Sequence, residues 1–189
     1  MICLKRRGGR SSKIGEYTVA SRIGSGRYGV CFLAHGPTGK TVVLKRFRPR
    51  MLRKNRQQNH YEAVILSGLS HPAVPELLGV INCRQGYYYV LEYKEGASLE
   101  EWLFKRRKVF SPEEIYRIGS QLFDILKYLH GRNVVHGDVS AANLLYDGEK
   151  LSLLDFGLAR YANGRNIRFS MDYARTANVL IYLLYSGYS

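Results

Sequence analysis

The hydrophobic pattern of this chain changes near residue 93, and that change limits the fold more than any other feature. Before it, β-branched and aromatic residues concentrate in runs separated by Gly- and Pro-containing turns, which is typical of strands. The predicted strands cover residues 17–23, 28–35, 41–47 and 87–93. One helix is predicted between them, over residues 52–69, and Pro72 prevents its continuation.

After residue 93 the pattern becomes helical. Ser98, with Glu101 three residues on, is a capping-box signature and predicts the start of a helix over residues 98–107. A second signature begins at Ser111, and apolar residues then recur at helical spacing until Gly131. The second half of the chain therefore predicts helices where the first predicts strands.

Two short strands and a last helix complete the pattern, over residues 143–147, 150–155 and 171–185. The order of elements predicts an α+β chain with a basic arm, a β-rich lobe and an α-helical lobe. These predicted domains are residues 1–13, 14–93 and 94–189.

The formal charge is +14, from 29 Lys and Arg against 15 Asp and Glu. The cations cluster within residues 5–13, 45–56 and 105–108. We predict contact with a polyanion (DNA or an acidic protein) or with a membrane surface, beside the ordinary alternative of solvated surface. No DNA-binding motif accompanies the charge, so sequence-specific recognition of nucleic acid is not expected.

The cysteines, Cys3, Cys31 and Cys83, lie far apart and are odd in number, which argues against a disulfide framework or a zinc site. A reducing compartment fits this pattern, so we predict a cytoplasmic protein. The basic N-terminus lacks the apolar core of a signal peptide, and the longest apolar run, residues 179–185, is too short to cross a bilayer.

Residues 23–30 read IGSGRYGV, a glycine-rich turn between two predicted strands. Glycines let the backbone approach phosphate oxygens because no Cβ intervenes. Dinucleotide-binding folds share the spacing, but they require a helix directly after the glycines, and here a strand follows. Alone, the segment is weak evidence for a phosphate site.

Five further residues have the chemistry that phosphoryl transfer requires. Lys45, at the end of an apolar strand segment, can direct a point charge at phosphates, and Glu62 can pair with it. Asp138 can accept a proton from an attacking hydroxyl, while Asn143 and Asp155 offer the hard oxygen ligands that Mg²⁺ prefers. Each has an ordinary alternative, as surface charge or turn former.

In this order, the segments resemble the eukaryotic-type protein kinase family, in particular small bacterial Ser/Thr kinases. The matching motifs, within residues 15–187, are GSGRYGV, VVLK, EAVILSGLSHP, HGDVSAAN and DFG. The resemblance implies a two-lobed protein-kinase-like fold with a minimal C-lobe. It also implies transfer of the γ-phosphate of ATP, with Mg²⁺, to Ser or Thr of a protein substrate.

The resemblance implies roles for individual residues. Asp138 would be the catalytic base, Lys45 would hold phosphates and pair with Glu62, and Asn143 and Asp155 would bind Mg²⁺. The residues implied to contact ATP are Ile23, Gly24, Gly26, Gly29, Val30, Val43, Lys45, Leu91, Glu92, Lys94 and Leu145. The residues with implied structural roles are His136 and Phe156, which would pack together in the core, and Asp172, which would anchor the last helix.

The loop of residues 136–143 departs from the family pattern. Gly137 replaces an Arg that pairs with a phosphorylated activation loop, so switching by loop phosphorylation is not expected. Ser140 stands where Ser/Thr-specific members carry a Lys that touches the γ-phosphate, and Ala142 does not supply the Arg of tyrosine-specific ones. That charge contact is either missing or comes from elsewhere.

Two further departures concern Val43, which replaces a smaller Ala in the strand motif, and the short segment 156–171. This segment leaves no room for a long activation segment or a peptide-docking loop. The chain is either a naturally minimal kinase or one cut short. The alternatives are a partner-dependent atypical kinase or ATPase of Bud32 type, a nucleotide-binding pseudokinase scaffold, and a small-molecule kinase.

Overall fold

A computed structural model describes residues 12–25, 29–48, 56–163 and 165–187, with the side chains of residues 56–60 also outside the description. Most of the predicted basic arm, Gly26 and the start of the first predicted helix therefore lie outside the described residues. By internal contacts the described residues form two compact units, one within residues 1–51 and 78–93 and one within residues 52–77 and 94–189.

The first unit is built on a six-stranded sheet. Its strands are β1 (Lys13–Ile14), β2 (Tyr17–Ser25), β3 (Gly29–His35), β4 (Thr41–Phe47), β5 (Leu77–Cys83) and β6 (Gly86–Glu92). They lie in the order β1-β2-β3-β4-β6-β5, and the central pairs are antiparallel. One apolar core is formed by alternate residues of the inner strands β3, β4 and β6 together with Ile14 of the edge strand β1: Ile14, Ala34, Val42, Leu44, Tyr88 and Val90.

The second unit combines helices with short strand pairs. Its helices are α1 (Arg56–Ser67), α2 (Pro112–His130) and α3 (Ser170–Leu184). Its strands are β7 (Ala97–Ser98), β8 (Val134–Val135), β9 (Leu144–Tyr146), β10 (Leu151–Leu153) and β11 (Arg160–Tyr161). β9 pairs with both β7 and β10, and β11 pairs with β8. The core lies between α2 and the elements that pack on it, namely α3, β8 and β10.

Helix α2 begins where its sequence predicts. The Ser111 side chain accepts the backbone N–H of Glu114 at 3.2 Å, and the Glu114 carboxylate accepts the backbone N–H of Ser111 at 3.0 Å. Pro112 occupies the first turn, and Gly131 follows the last helical residue. The predicted capping box is confirmed in both of its halves.

The segment after Ser98 differs from the predicted helix of residues 98–107. Ala97 and Ser98 form β7, and a short helix then ends in a π-helical stretch, Glu101–Lys105. Ser98 still caps it, because its hydroxyl accepts the backbone N–H of Glu101 at 3.0 Å. Trp102 lies within the wider π-helical turn, and its Nε1 donates to the Tyr146 carbonyl at 2.9 Å, which fixes the position of its side chain.

The predicted strands of the first half and the short strands of the second half are confirmed, with ends shifted by at most two residues. The predicted N-lobe of residues 14–93 differs from the contact-based first unit, since residues 52–77 group with the second unit. Among the described residues, none of the helices is both long and apolar enough to cross a membrane.

Candidate active site

The loop of residues 136–143 is anchored by a buried carboxylate. Asp172, in the first turn of α3, is fully buried. Its carboxylate accepts the backbone N–H of His136 at 2.9 Å and of Gly137 at 2.8 Å, and His130 Nε2 lies 2.9 Å from it. Hydrogen bonds to a charged acceptor are strong, so α3 and this loop are fixed to each other. The expected anchoring role of Asp172 is confirmed by these contacts.

His136 supports the same loop from inside the core. Its Nε2 donates to the Leu154 carbonyl at 3.1 Å, and its Nδ1 accepts the backbone N–H of Asp138 at 3.2 Å. One donor and one acceptor nitrogen describe a neutral imidazole. Burial lowers the pKa of His136, although the Asp172 carboxylate opposes that shift. The ring packs edge-on against Phe156, with centroids 4.7 Å apart, so both residues pack as expected.

Both carboxylate oxygens of Asp138 have partners. Oδ2 accepts Nδ2 of Asn143 at 3.0 Å, and the same amide group donates to the Asp138 carbonyl at 2.9 Å. Oδ1 lies 3.3 Å from Nη1 of Arg175, a residue of α3. The Asp138 side chain is 35% exposed, so a bound hydroxyl can reach it. The loop thus holds a carboxylate in a fixed orientation while leaving it accessible.

Asn143 and Asp155 lie at the same end of a strand pair. Leu144 of β9 pairs with Leu153 of β10, and just past this pair the Leu154 N–H donates to the Asn143 carbonyl at 2.8 Å. Asp155 has a left-handed backbone, with φ of 59°, and its Oδ1 accepts the backbone N–H of Gly157 at 3.2 Å. Such a backbone is costly for a residue with a side chain, and surrounding contacts must hold it.

The local backbone conformation explains why position 137 is a glycine. Its φ is +75°, and a Cβ at this position would lie 3.1 Å from the Leu158 carbonyl oxygen. An arginine here would strain the backbone and crowd the turn that follows Asp155. The absence of the family's arginine at position 137 is therefore explained by the close packing of this loop against Leu158.

In the first unit, Lys45 is almost completely buried on β4, paired in register with Cys31 and Tyr89. Its Nζ lies 5.7 Å from the centre of the Phe47 ring. Gly29 of β3 passes so close to β4 that a Cβ would lie 2.1 Å from the Arg46 carbonyl oxygen. Strand packing alone therefore requires a glycine there, whatever role it has with phosphate.

The other residues expected at a nucleotide are divided between the two units. In the first, Val43 and Leu91 pair across β4 and β6, and Ile23 is half exposed. In the second, Leu145 lies on β9, and the Lys94 side chain donates to the Pro72 carbonyl at 2.7 Å. The roles assigned to them in binding ATP stay predictions.

Glu62 is buried on α1, and α1 packs against the turn Phe156–Leu158 within the second unit. A buried carboxylate on an otherwise weakly amphipathic helix is unusual unless it is paired. Its predicted pairing with Lys45 stays a prediction.

The donor set fits Mg²⁺ bound together with phosphates. Among the described residues, no three His, Cys, Asp or Glu side chains are grouped closely enough to hold a metal on their own. Mg²⁺ at nucleotide sites needs only one or two protein oxygen ligands, because phosphates and water complete its shell. The Asp155 carboxylate and the Asn143 amide oxygen would provide these ligands.

Sequence reasoning missed one residue that completes the site, Arg175, whereas the sequence already indicated a structural role for His130 at the end of α2. Arg175 contacts Asp138, and His130 stacks on Phe169 with centroids 4.4 Å apart while touching Asp172. Arg175 lies three residues after Asp172, on the same side of the helix, and that spacing is the signal that could have identified it.

The chain is similar in sequence to known proteins over most of its length. The family described as "Protein kinase domain" matches residues 17–178. A probable serine/threonine-protein kinase YbdM of Bacillus subtilis (strain 168) is 30% identical over 181 residues, which are 92% of this chain and 71% of that protein. A probable serine/threonine-protein kinase of Dictyostelium discoideum is 34% identical over 84% of this chain and 33% of its own length.

CBL-interacting protein kinase 11 of Oryza sativa subsp. japonica is 32% identical over 83% of this chain and 32% of its own length. The chain thus spans most of the bacterial relative but about a third of the two eukaryotic ones.

Proposed function

Because the chain belongs to the protein kinase family, we propose that it transfers the γ-phosphate of ATP to Ser or Thr residues of a protein, with Mg²⁺ as cofactor. The observation that carries this proposal is the Asp138 carboxylate, which Asn143 orients at 3.0 Å in a loop anchored on buried Asp172. A carboxylate held in this way and still exposed is suited to accept the proton of an attacking hydroxyl.

Each residue of the site contributes positioning or charge. Asn143 and Asp155 would hold Mg²⁺, which offsets negative charge on the phosphates. Lys45 would bind the α- and β-phosphates, and the glycines Gly24, Gly26 and Gly29 would let the backbone approach them. The chemistry needs little covalent participation from the protein, so loss of any charged member should reduce the rate strongly.

We further propose that activity does not depend on phosphorylation of an activation loop. The segment after Asp155 is short and held by local contacts: β11 pairs with β8, and the Asn163 side chain accepts the backbone N–H groups of residues 165–167 at 3.0–3.1 Å. Gly137 offers no cation to a phosphate on that segment. A chain purified without phosphate should therefore already be active.

Labelled ATP tests the main proposal. With Mg²⁺ and ATP labelled on the γ-phosphate, the wild-type chain should label itself or an added Ser/Thr-containing protein. Lys45→Ala and Asp155→Asn should abolish labelling, whereas the exposed matched controls Lys40→Ala and Asp124→Asn should not change it. A map of phosphorylated residues then reports the Ser/Thr preference.

The same assay separates the alternatives. ATP hydrolysis without phosphate transfer, seen only when a partner protein is added, would favour a partner-dependent atypical kinase or ATPase of Bud32 type. Absence of transfer under all conditions, with melting unaffected by nucleotide, would favour a scaffold and refute the kinase proposal. Label on an added small molecule alone would favour a small-molecule kinase.

We also propose that basic clusters bind a polyanion, either DNA or an acidic protein, or a membrane surface. In the cluster of residues 105–108, Arg106 pairs with Glu101 at 2.7 Å and Lys108 with Glu114 at 3.0 Å, while Lys105 and Arg107 are exposed. Most of the other two clusters lies outside the described residues. If DNA, an acidic polymer and anionic vesicles all leave binding and activity unchanged, this proposal fails. The cytoplasmic location stays a prediction.

A further inference from the structure

The loop that holds Asp138 supplies no cation of its own. Residues 136–143 contain no Lys or Arg, and their only ionisable side chains are the neutral, buried His136 and the Asp138 carboxylate. During phosphoryl transfer, negative charge spreads over three phosphoryl oxygens next to the attacking hydroxyl. A carboxylate that receives the hydroxyl proton must lie close to this charge and repels it.

Arg175 brings a cation to this point from α3. Its Nη1 lies 3.3 Å from Asp138 Oδ1, on the carboxylate oxygen opposite the one that Asn143 occupies. The side chains of Arg175 and Asp138 are 43% and 35% exposed, so both are accessible to a bound substrate. The ion pair is therefore placed where an acceptor and a phosphoryl group can reach it.

The position of Arg175 is fixed by buried structure. Three residues earlier on α3, Asp172 binds the backbone of His136 and Gly137, which directly precede Asp138. Residues three apart on a helix lie on the same side, so the contact that fixes the loop also brings Arg175 next to Asp138. A chance encounter of two mobile surface side chains would lack this support.

We propose that Arg175 is a catalytic residue that binds the transferring phosphoryl group beside Asp138, an inference that rests on the proposed function. A guanidinium has five N–H donors in a planar fork, so one edge can hold Asp138 while another holds phosphoryl oxygens. In the step, the hydroxyl oxygen forms a bond to the γ-phosphorus as the bond to the β–γ bridging oxygen breaks. The bridging electron pair leaves with ADP, and the hydroxyl proton passes to Asp138.

Two other roles for the ion pair predict different effects of removing Arg175 on activity. An exposed ion pair contributes little to stability. If the pair were purely structural, removing Arg175 would therefore change neither the melting temperature nor the activity appreciably. A pair that restrains Asp138 in an inactive state would make removal of Arg175 activating. The catalytic role alone requires that activity fall while stability stays nearly unchanged.

The first test measures kcat and KM for ATP separately, using label transfer to a Ser/Thr-containing protein. Arg175→Ala should lower kcat by about 100-fold, the scale of one lost transition-state donor, with KM changed less than about threefold. Arg175→Lys should retain part of the activity. The double variant Ser140→Lys with Arg175→Ala should regain at least about tenfold over the single variant, because the new cation lies two residues from Asp138.

Arg117→Ala on α2 makes the same change of charge at an exposed position and should match the wild type. All variants should melt within about 4 °C of the wild type. An unchanged or raised kcat for Arg175→Ala overturns the proposal, and so does a double variant no more active than the single one.

The second test does not need a protein acceptor. Binding of ADP, Mg²⁺ and aluminium fluoride mimics the transferring phosphoryl group, so Arg175→Ala should weaken it by about tenfold or more while ADP alone binds as before. If the wild type transfers no label yet shows this selective loss, the role of Arg175 stands and the protein kinase function fails. If the wild type transfers label and both readouts ignore Arg175, the function stands and the role of Arg175 fails.

Discussion

Replacing Asp172 with Asn should destabilise the second unit more than any other single loss of charge considered above. The carboxylate is fully buried, with Oδ2 accepting from His136 and contacting His130 Nε2, and Oδ1 accepting from Gly137. An asparagine has one acceptor oxygen and one donor NH₂ group, so in either orientation it points a donor at a backbone N–H that now has no acceptor.

The magnitude follows from these contacts. Losing one charge-assisted hydrogen bond and leaving its buried N–H unpaired costs roughly 2 kcal/mol, and weakening the remaining bonds from charged to neutral costs roughly 1 kcal/mol each. The sum, about 3–5 kcal/mol, agrees with the cost of breaking a buried charged interaction by removing one partner. That is a large fraction of the total stability of a small domain, about 5–15 kcal/mol.

Urea unfolding followed by tryptophan fluorescence measures this loss. The single tryptophan, Trp102, lies in the second unit and donates to the Tyr146 carbonyl, so its emission reports that unit. Asp124→Asn, which removes an exposed charge from α2, is the matched control and should stay within about 0.5 kcal/mol of the wild type. A loss below about 1 kcal/mol for Asp172→Asn would refute the anchoring role, since the buried bonds would then contribute almost nothing.

Three further perturbations test other parts of the second unit. Gly137→Ala should cost about 1–2 kcal/mol in the same urea assay, because a Cβ at φ of +75° is strained and crowds Leu158; a neutral result would contradict the backbone conformation. Ser111→Ala should cost about 1 kcal/mol by removing a capping bond from α2, whereas Ser111→Asp should retain most of the stability. Since burial lowers the pKa of His136, its contribution to stability is fully present above its unfolded pKa of about 6.5 and is lost as pH falls through its folded value. Urea midpoints should therefore drop between pH 7.5 and 5.5, and should drop less in His136→Gln; equal slopes would show that His136 is not the group responsible.

The elements that sequence predicted well are those whose signals are local. Ser111 and Glu114 lie within one turn of each other, and their reciprocal bonds depend only on that spacing. Strand β5 was not predicted, and the reason is also local. Pro72 and Pro75 shortly before it and Gly79 within it weaken the strand pattern of the sequence. A weak pattern is tolerated there because β5 lies at the edge of the sheet. Local chemistry therefore accounts for the start of α2 and for most of the strands.

The site follows a different logic, because its decisive contacts join residues far apart in sequence. Asn143 and Asp138 are close in the chain and were predicted together, but their orientation depends on Asp172, and the charge beside Asp138 depends on Arg175. Motif spacing names the residues of the loop without indicating which distant helix completes it. Ser140 is an example. Within the motif, its presence means only that the lysine charge usual at this position is lost. The packing of α3 against the loop is what identifies Arg175 as the cation that can replace that lysine.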